Sequence, residues 1–154
     1  MASCRNPRGS RWGLRPGTVA PGGGEAFKPF FVEAAVAERY LLIITHAKDD
    51  EDRANAALAF AAALAADGHE VAIFFLFEGA NLARRGVAET IAGRNYAPVR
   101  DLLPLLRDAK VELMVCGACA KTYAIGAAEL IEGCKIVQIP TVTALMAGRQ
   151  TLTF

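Results

Sequence analysis

The feature that most limits what this chain can fold into is the alternation, along its body, of short apolar runs with segments of helical period. Tyr40–Thr45 (YLLIIT) and Val71–Phe77 (VAIFFLF) are unbroken apolar runs, the pattern of strands buried on both faces. Val111–Val115, Lys135–Ile139 and Thr151–Phe154 read as three further strands. After the first run, Asp49–Asp52 supply a capping acid and negative charge for a first helical turn. Leu58, Ala61, Ala62 and Ala65 then share one helix face, and Gly68 ends the helix. Asn81–Arg85 is a short helical segment and Ala92–Pro98 a loop. Asp101 is positioned to cap a helix carrying Leu102, Leu105, Leu106 and Ala109 on one face, with Pro104 in its first turn. Residues 118–132 read as helical with a break at Gly126, Gly133 closes them, and Val142–Ala147 forms a short helix. No hairpin signal joins two strands. The expected fold is therefore α/β, a mostly parallel sheet of about five strands joined by helical crossovers and covered on both faces. Ligands of such sheets gather outside the strands' carboxyl ends, here Thr45–Lys48, Phe77–Gly79, Val115–Cys119 and Ile139–Thr141.

Length and composition narrow the function classes. The 154 residues suit one domain, and 53% apolar against 21% charged residues is ample material for a core. Residues 1–28, rich in glycine, proline and arginine, lack either periodicity and read as a flexible extension; residues 29–154 form the domain. The extension carries Arg5, Arg8, Arg11, Arg15 and Lys28 against Glu25, a net +4, which leaves a net −3 on the rest of a chain whose total is +1. An acidic body argues against nucleic-acid binding. No apolar run approaches the roughly 18 residues of a membrane span, and no secretory signal precedes the body. Cys4, Cys116, Cys119 and Cys134 in a chain without such a signal point to free thiols in the reducing cytoplasm. Both serines, Ser3 and Ser10, lie in the extension, which removes serine hydrolases unless the extension enters the site. Neither a Gly-x-Gly-x-x-Gly after a strand nor a Gly-Lys-Ser/Thr is present, so nucleotide binding has no motif to rest on.

One strand end carries chemistry. Val115-Cys116-Gly117-Ala118-Cys119-Ala120-Lys121 places a Cys-x-x-Cys at a strand-to-helix junction. Cys116 then sits at the helix amino terminus, where free N–H groups favour a thiolate, the reactive form of cysteine. Gly117 allows a sharp turn, Cys119 lies one turn on, and Lys121 adds positive charge. The plainer reading of two cysteines near a strand end is apolar packing. Three chemistries could use the pair. A metal site lacks ligands, because Cys134 and His69 precede strands and fall at the opposite end of the sheet, leaving His46 alone well placed. A thioredoxin-like dithiol reaction is possible, although that fold places its motif after an earlier strand. Sulfur transfer needs only an activated, accessible cysteine that holds sulfane sulfur as a persulfide, and no cofactor.

The quoted cysteine loop, together with Thr45-His46-Ala47-Lys48-Asp49-Asp50, the Ala-rich helix, Val71–Gly79, Leu130-Ile131-Glu132-Gly133 and Thr151–Phe154, resembles the DsrE/DsrF-like family, which includes the TusD-type sulfur-relay proteins. The resemblance covers about residues 39–154. It implies a flavodoxin-like three-layer sandwich, a homotrimer or homohexamer, and sulfur carriage on Cys116, which matches the family's loop cysteine, in exchange with sulfur donor or acceptor proteins. The chain departs from the family at Thr122-Tyr123-Ala124-Ile125, where many members carry Arg-Gly; the loss of that arginine removes an anion-binding group.

The site expected from these readings is Cys116 and Cys119 as the sulfur-bearing pair, with His46, Gly117 and Lys121 around the substrate and no metal. His46 could assist Cys116 if the first and third strands are neighbours; otherwise it is an ordinary loop histidine. Tyr123 reads as a packing residue, and Glu78 either lines the cleft or faces solvent. The two competing readings are an oligomeric binding module with inert cysteines and a dithiol redox protein. The apolar excess also favours self-association, since short helices leave part of a parallel sheet to be covered by identical subunits.

Overall fold

A computed structural model describes residues 37–154; the 1–28 extension, with Cys4, lies outside the described residues. Five strands, β1 (Arg39–Ile44), β2 (Glu70–Phe75), β3 (Glu112–Cys116), β4 (Cys134–Val137) and β5 (Gln150–Thr153), form one sheet in the order β4-β3-β2-β1-β5. Every pairing is parallel, so the α/β sandwich with a parallel sheet is the fold. Four helices join the strands: α1 (Glu51–Ala66), α2 (Val99–Asp108), α3 (Gly117–Thr122) and α4 (Ile139–Met146), with short 3₁₀ segments at Phe77–Ala83, Ala88–Thr90 and Ala127–Glu129.

The strand order explains the layers. From β1 to β4 the chain steps in one direction across the sheet, so right-handed crossovers put α1, α2 and α3 on the same face. The connection from β4 to β5 runs back past the whole sheet and places α4 on the other face. Burial follows this division. Leu42, Ile44, Val71, Ile73, Phe75, Leu113 and Val115 meet Ala57, Leu58, Leu102 and Leu106 in the larger core. The alternate residues Leu41, Ala72, Phe74, Met114 and Cys116 pack with Val142 of α4.

Local chemistry sets the element ends. Asp50 caps α1, its carboxylate accepting from the Arg53 N–H at 3.0 Å, with Glu51 and Asp52 in the first turn. Gly68 follows in the left-handed region at φ +87°. Five expectations need correction. β2 stops at Phe75, because Phe77 takes φ +53° and starts a 3₁₀ segment. Helix α2 begins at Val99 behind Pro98, so Asp101 lies in its first turn and does not cap it, while Pro104, the sixth residue, is beyond that turn. Leu105 faces outward at 56% exposure, whereas Leu102 and Leu106 are buried. The helix expected over 118–132 ends at Thr122, because Ala124 adopts φ +52° and Gly126 is extended.

Asn55 is a fully buried polar residue among the described ones. From α1 it accepts the Gly93 N–H at 2.6 Å and donates to the Ala97 carbonyl at 2.8 Å, pinning the loop that leads into α2. No helix among the described residues is long and apolar enough to cross a membrane.

Candidate functional site

Three strand ends converge on the thiol pair. Cys116 is the last residue of β3 and Gly117 the first of α3, so strand and helix meet without a linker. Gly117 has no left-handed φ, in contrast to the sharp turn expected of it. Its space is tight instead, since a Cβ there would lie 2.5 Å from Gln138 Nε2 just after β4. That neighbour is the tip of an exposed side chain, so Gly117→Ala should cost no more than about 1 kcal/mol. A thermal melt within a few degrees of wild type is the expected result, and a collapse in stability would contradict it.

The two sulfurs have different surroundings. Cys116 is 3% exposed, packed beneath the second face of the sheet. Cys119 is half-buried at the boundary between both cores, and its Sγ accepts the Phe77 backbone N–H at 3.3 Å. A bulky aromatic at φ +53° is strained, and its backbone N–H is the one that meets the sulfur. The Phe77 ring is 61% exposed above the site. Burial pushes the Cys119 thiol above its ordinary value, the Phe77 N–H offsets part of that rise, and hydrogen bonding with Cys116 adds to it. Cys119 is therefore protonated at rest, in contrast to an activated thiolate. Its alkylation rate should still be climbing at pH 9; a plateau below about pH 7 would contradict this.

The rim is polar. Tyr123, one turn beyond Cys119, donates its hydroxyl to Glu78 Oε1 at 2.9 Å, and Asn81 donates to Glu78 Oε2 at 3.0 Å. That hydrogen bond raises the Tyr123 hydroxyl pKa, burial and the Glu78 charge add to it, and Cys119 and Asp49 contribute further. Tyr123 is thus a hydrogen-bonded rim residue as well as a packed one. Arg84 supports the turn behind it, donating to the Tyr123 and Ala124 carbonyls at 3.4 and 3.0 Å and pairing with Glu129 at 3.3 Å. Since alanine in the left-handed region costs roughly 1–2 kcal/mol, Ala124→Gly should raise the melting temperature by about 2–4 °C. An unchanged or lowered midpoint would show that the turn is not strained.

The condition set for His46 is not met. β2 lies between β1 and β3, and both ring nitrogens are occupied. Nδ1 lies 2.6 Å from Asp49 Oδ2 and Nε2 lies 3.1 Å from Arg53 Nη1. A guanidinium only donates, so these partners assign Nε2 as acceptor and Nδ1 as the N–H. Burial pushes the Asp49 carboxyl up, but the Ala47 N–H and the His46 ring outweigh it and hold it below its usual value. Lys121 is exposed in the last turn of α3, on the same helix as Cys119. Cys134 opens β4 opposite Leu113, whereas Cys116 closes β3 opposite Val137, which places them at opposite ends of the sheet. Burial pushes the Cys134 thiol to about 12.

The strand end Phe77–Gly79 is among those expected to carry a site, but its two contacts there join residues far apart in sequence. Phe77 and Cys119 are 42 residues apart, and Glu78 and Tyr123 are 45 apart. Clefts of about 450 and 420 Å³ open elsewhere, one at the amino ends of β2 and β3 and one beside α2, and neither is lined by Cys116 or Cys119.

A parallel α/β sheet with two free thiols where its third strand meets a helix defines a small α/β thiol protein. The chain belongs to the DsrE/DsrF-like family, whose model matches residues 38–154. Among its relatives, the uncharacterized protein MJ0989 of Methanocaldococcus jannaschii is 33% identical over 112 residues, spanning 70% of this chain and 91% of that one. The uncharacterized protein MK0008 of Methanopyrus kandleri is 30% identical over 98 residues, or 62% and 75% of the two chains. Among solved structures, the ychN protein from E. coli superposes with a TM-score of 0.62 at 20% identity, covering 75% of this chain and 99% of that one. MTH1491 from Methanobacterium thermoautotrophicum gives 0.60 at 17% identity, with 76% and 99% covered. At these identities the two superpositions speak for the fold.

Proposed function

We propose that this protein is a sulfur carrier of the cytoplasm, holding sulfane sulfur as a persulfide on the Cys116–Cys119 pair and exchanging it with donor or acceptor proteins. The observation that carries this reading is the thiol pair itself, with a backbone N–H delivered to one sulfur by a strained residue. A persulfide is acquired by thiol attack on a sulfane sulfur and given up by attack of a second thiol, with no cofactor. Gly117 and Lys121 flank the sulfurs on α3 and would meet that partner, while His46, held by Asp49 and Arg53, shapes the neighbouring rim.

The test is cyanolysis. Protein treated with inorganic polysulfide and desalted should release thiocyanate when cyanide attacks the outer sulfur. The Cys116→Ser/Cys119→Ser double variant should release none. Equal release from both proteins would place the sulfur elsewhere and defeat the reading.

The same proposal includes self-association into a homotrimer or homohexamer. Its support is α4, where Val142 is buried but Ile139 and Met146 remain 49% and 39% exposed, an apolar helix surface of the kind that interfaces cover. Light scattering at micromolar concentration should show a multiple of the 16.3 kDa chain. A clean monomer would contradict it.

A further inference from the structure

We infer that the two cysteines have separate tasks: Cys119 receives the incoming sulfur, and Cys116 is the resolving thiol that discharges it as hydrosulfide when no acceptor is present. This rests on the sulfur-carrier reading and assigns each thiol its step.

Three observations carry the assignment. Cys116 is 3% exposed and enclosed with Phe74, Met114 and Val142, so a donor cannot bring its sulfur in line with that Sγ without opening the core. Cys119 is part-exposed one helical turn further on, on the side a partner can reach. Its Sγ also receives the Phe77 N–H at 3.3 Å, a donor placed to stabilise negative charge on that sulfur during attack and on the persulfide anion afterwards. Position in the chain alone would favour Cys116, which ends the strand; burial and the N–H favour Cys119.

The first step conserves the oxidation level. Cys119 Sγ attacks the terminal sulfur of a persulfide donor, the donor's S–S bond breaks as the new one forms, and the Cys119 proton leaves with the donor thiol. In the second step Cys116 attacks Cys119 Sγ, the inner sulfur of the persulfide. The bond to the outer sulfur breaks, and that sulfur departs with the proton as hydrosulfide. The sulfane sulfur is reduced, and the two thiols are oxidised to a Cys116–Cys119 disulfide. Cys116 caps the helix that carries Cys119 three residues on; helical geometry puts Cα atoms at that spacing about 5 Å apart, within the Cα range a disulfide spans. An external acceptor thiol reaching the outer sulfur first takes it before Cys116 acts, so the buried thiol limits how long sulfur waits on the protein. Protein dithiols of the reducing compartment return the disulfide to its thiols.

Intact-mass spectrometry over time after addition of inorganic polysulfide, with released sulfide measured in parallel, tests this. Wild type should gain the mass of one sulfur, then fall to two hydrogens below the starting mass as it releases an equal amount of sulfide. Cys116→Ser and Cys116→Ala should both load and keep the sulfur, releasing no sulfide. Cys119→Ser and Cys119→Ala should load at least about tenfold more slowly than wild type. If the Cys119 variants load at the wild-type rate while the Cys116 variants do not, the division of labour is reversed, and the carrier reading stands without it. If wild type never gains sulfur, the carrier reading itself fails and takes this inference with it.

Discussion

Gly79→Ala is expected to remove most of the stability of the domain, a loss of about 4 kcal/mol or more. A Cβ at this position would lie 2.1 Å from the Ile44 carbonyl oxygen and 2.7 Å from its carbon. Both are backbone atoms at the end of β1, so neither can rotate away as a side chain would. The crowding is intrinsic to the local hydrogen bonding: Leu76 N–H reaches the Ile44 carbonyl at 2.9 Å and Gly79 N–H reaches the Thr45 carbonyl at 3.0 Å. Making room means separating the ends of β1 and β2, and with them the segment that aims the Phe77 N–H at Cys119. Native domains have about 5–15 kcal/mol in total, so urea denaturation should show a transition at far lower midpoint, or none. A midpoint close to wild type would mean that this contact is not as tight as described.

Asn55→Ala is expected to lower stability by about 2–4 kcal/mol, or very roughly 5–15 °C in melting temperature. The substitution leaves the Gly93 N–H and the Ala97 carbonyl without their partner on α1. A buried group stranded in this way loses its hydrogen bond without recovering one from water. Asn55→Asp separates the two contacts: the carboxylate keeps the acceptor for Gly93 but loses the donor for Ala97 and buries a charge. Its deficit relative to wild type should be smaller at acidic pH, where the carboxyl is neutral, than at pH 7. Equal thermal midpoints for Asn55→Ala and wild type would contradict the anchoring role.

Much of the fold was legible because it depends on local pattern. YLLIIT and VAIFFLF are unbroken apolar runs, and in the structure alternate residues of each serve opposite cores. That is what a strand covered on both faces requires, and the parallel sheet follows from the helices between. Asp50 and Gly68 act through their own side chain and backbone, so the limits of α1 were visible as well. Residues 118–132 misled because alanine is the best helix former, and nothing in its identity announces that Ala124 turns left-handed. That turn depends on Arg84, 40 residues away, holding its carbonyl.

The site was half legible for the same reason. Cys116 and Cys119 declare themselves by spacing, as does the junction they occupy. What distinguishes them does not. The burial of Cys116 under the face that α4 covers follows from the return of the chain across the sheet. The N–H at Cys119 comes from the end of another strand. His46 misled because strand order cannot be read from strand content, and β2 intervenes between β1 and β3. The Tyr123–Glu78 contact likewise joins the end of α3 to the segment after β2, which only the sheet brings together.

The central claim is that this thiol pair takes up sulfur and gives it away. Protein loaded with radiolabelled inorganic polysulfide, desalted, and then mixed with a small acceptor thiol tests both halves at once. In protein desalted at once, before Cys116 discharges the sulfur, the label should be on the protein, pass to the acceptor within the chase, and be absent from Cys116→Ser/Cys119→Ser treated alongside. Label that never remains on the wild-type protein, or that stays bound through the thiol chase, would contradict the account.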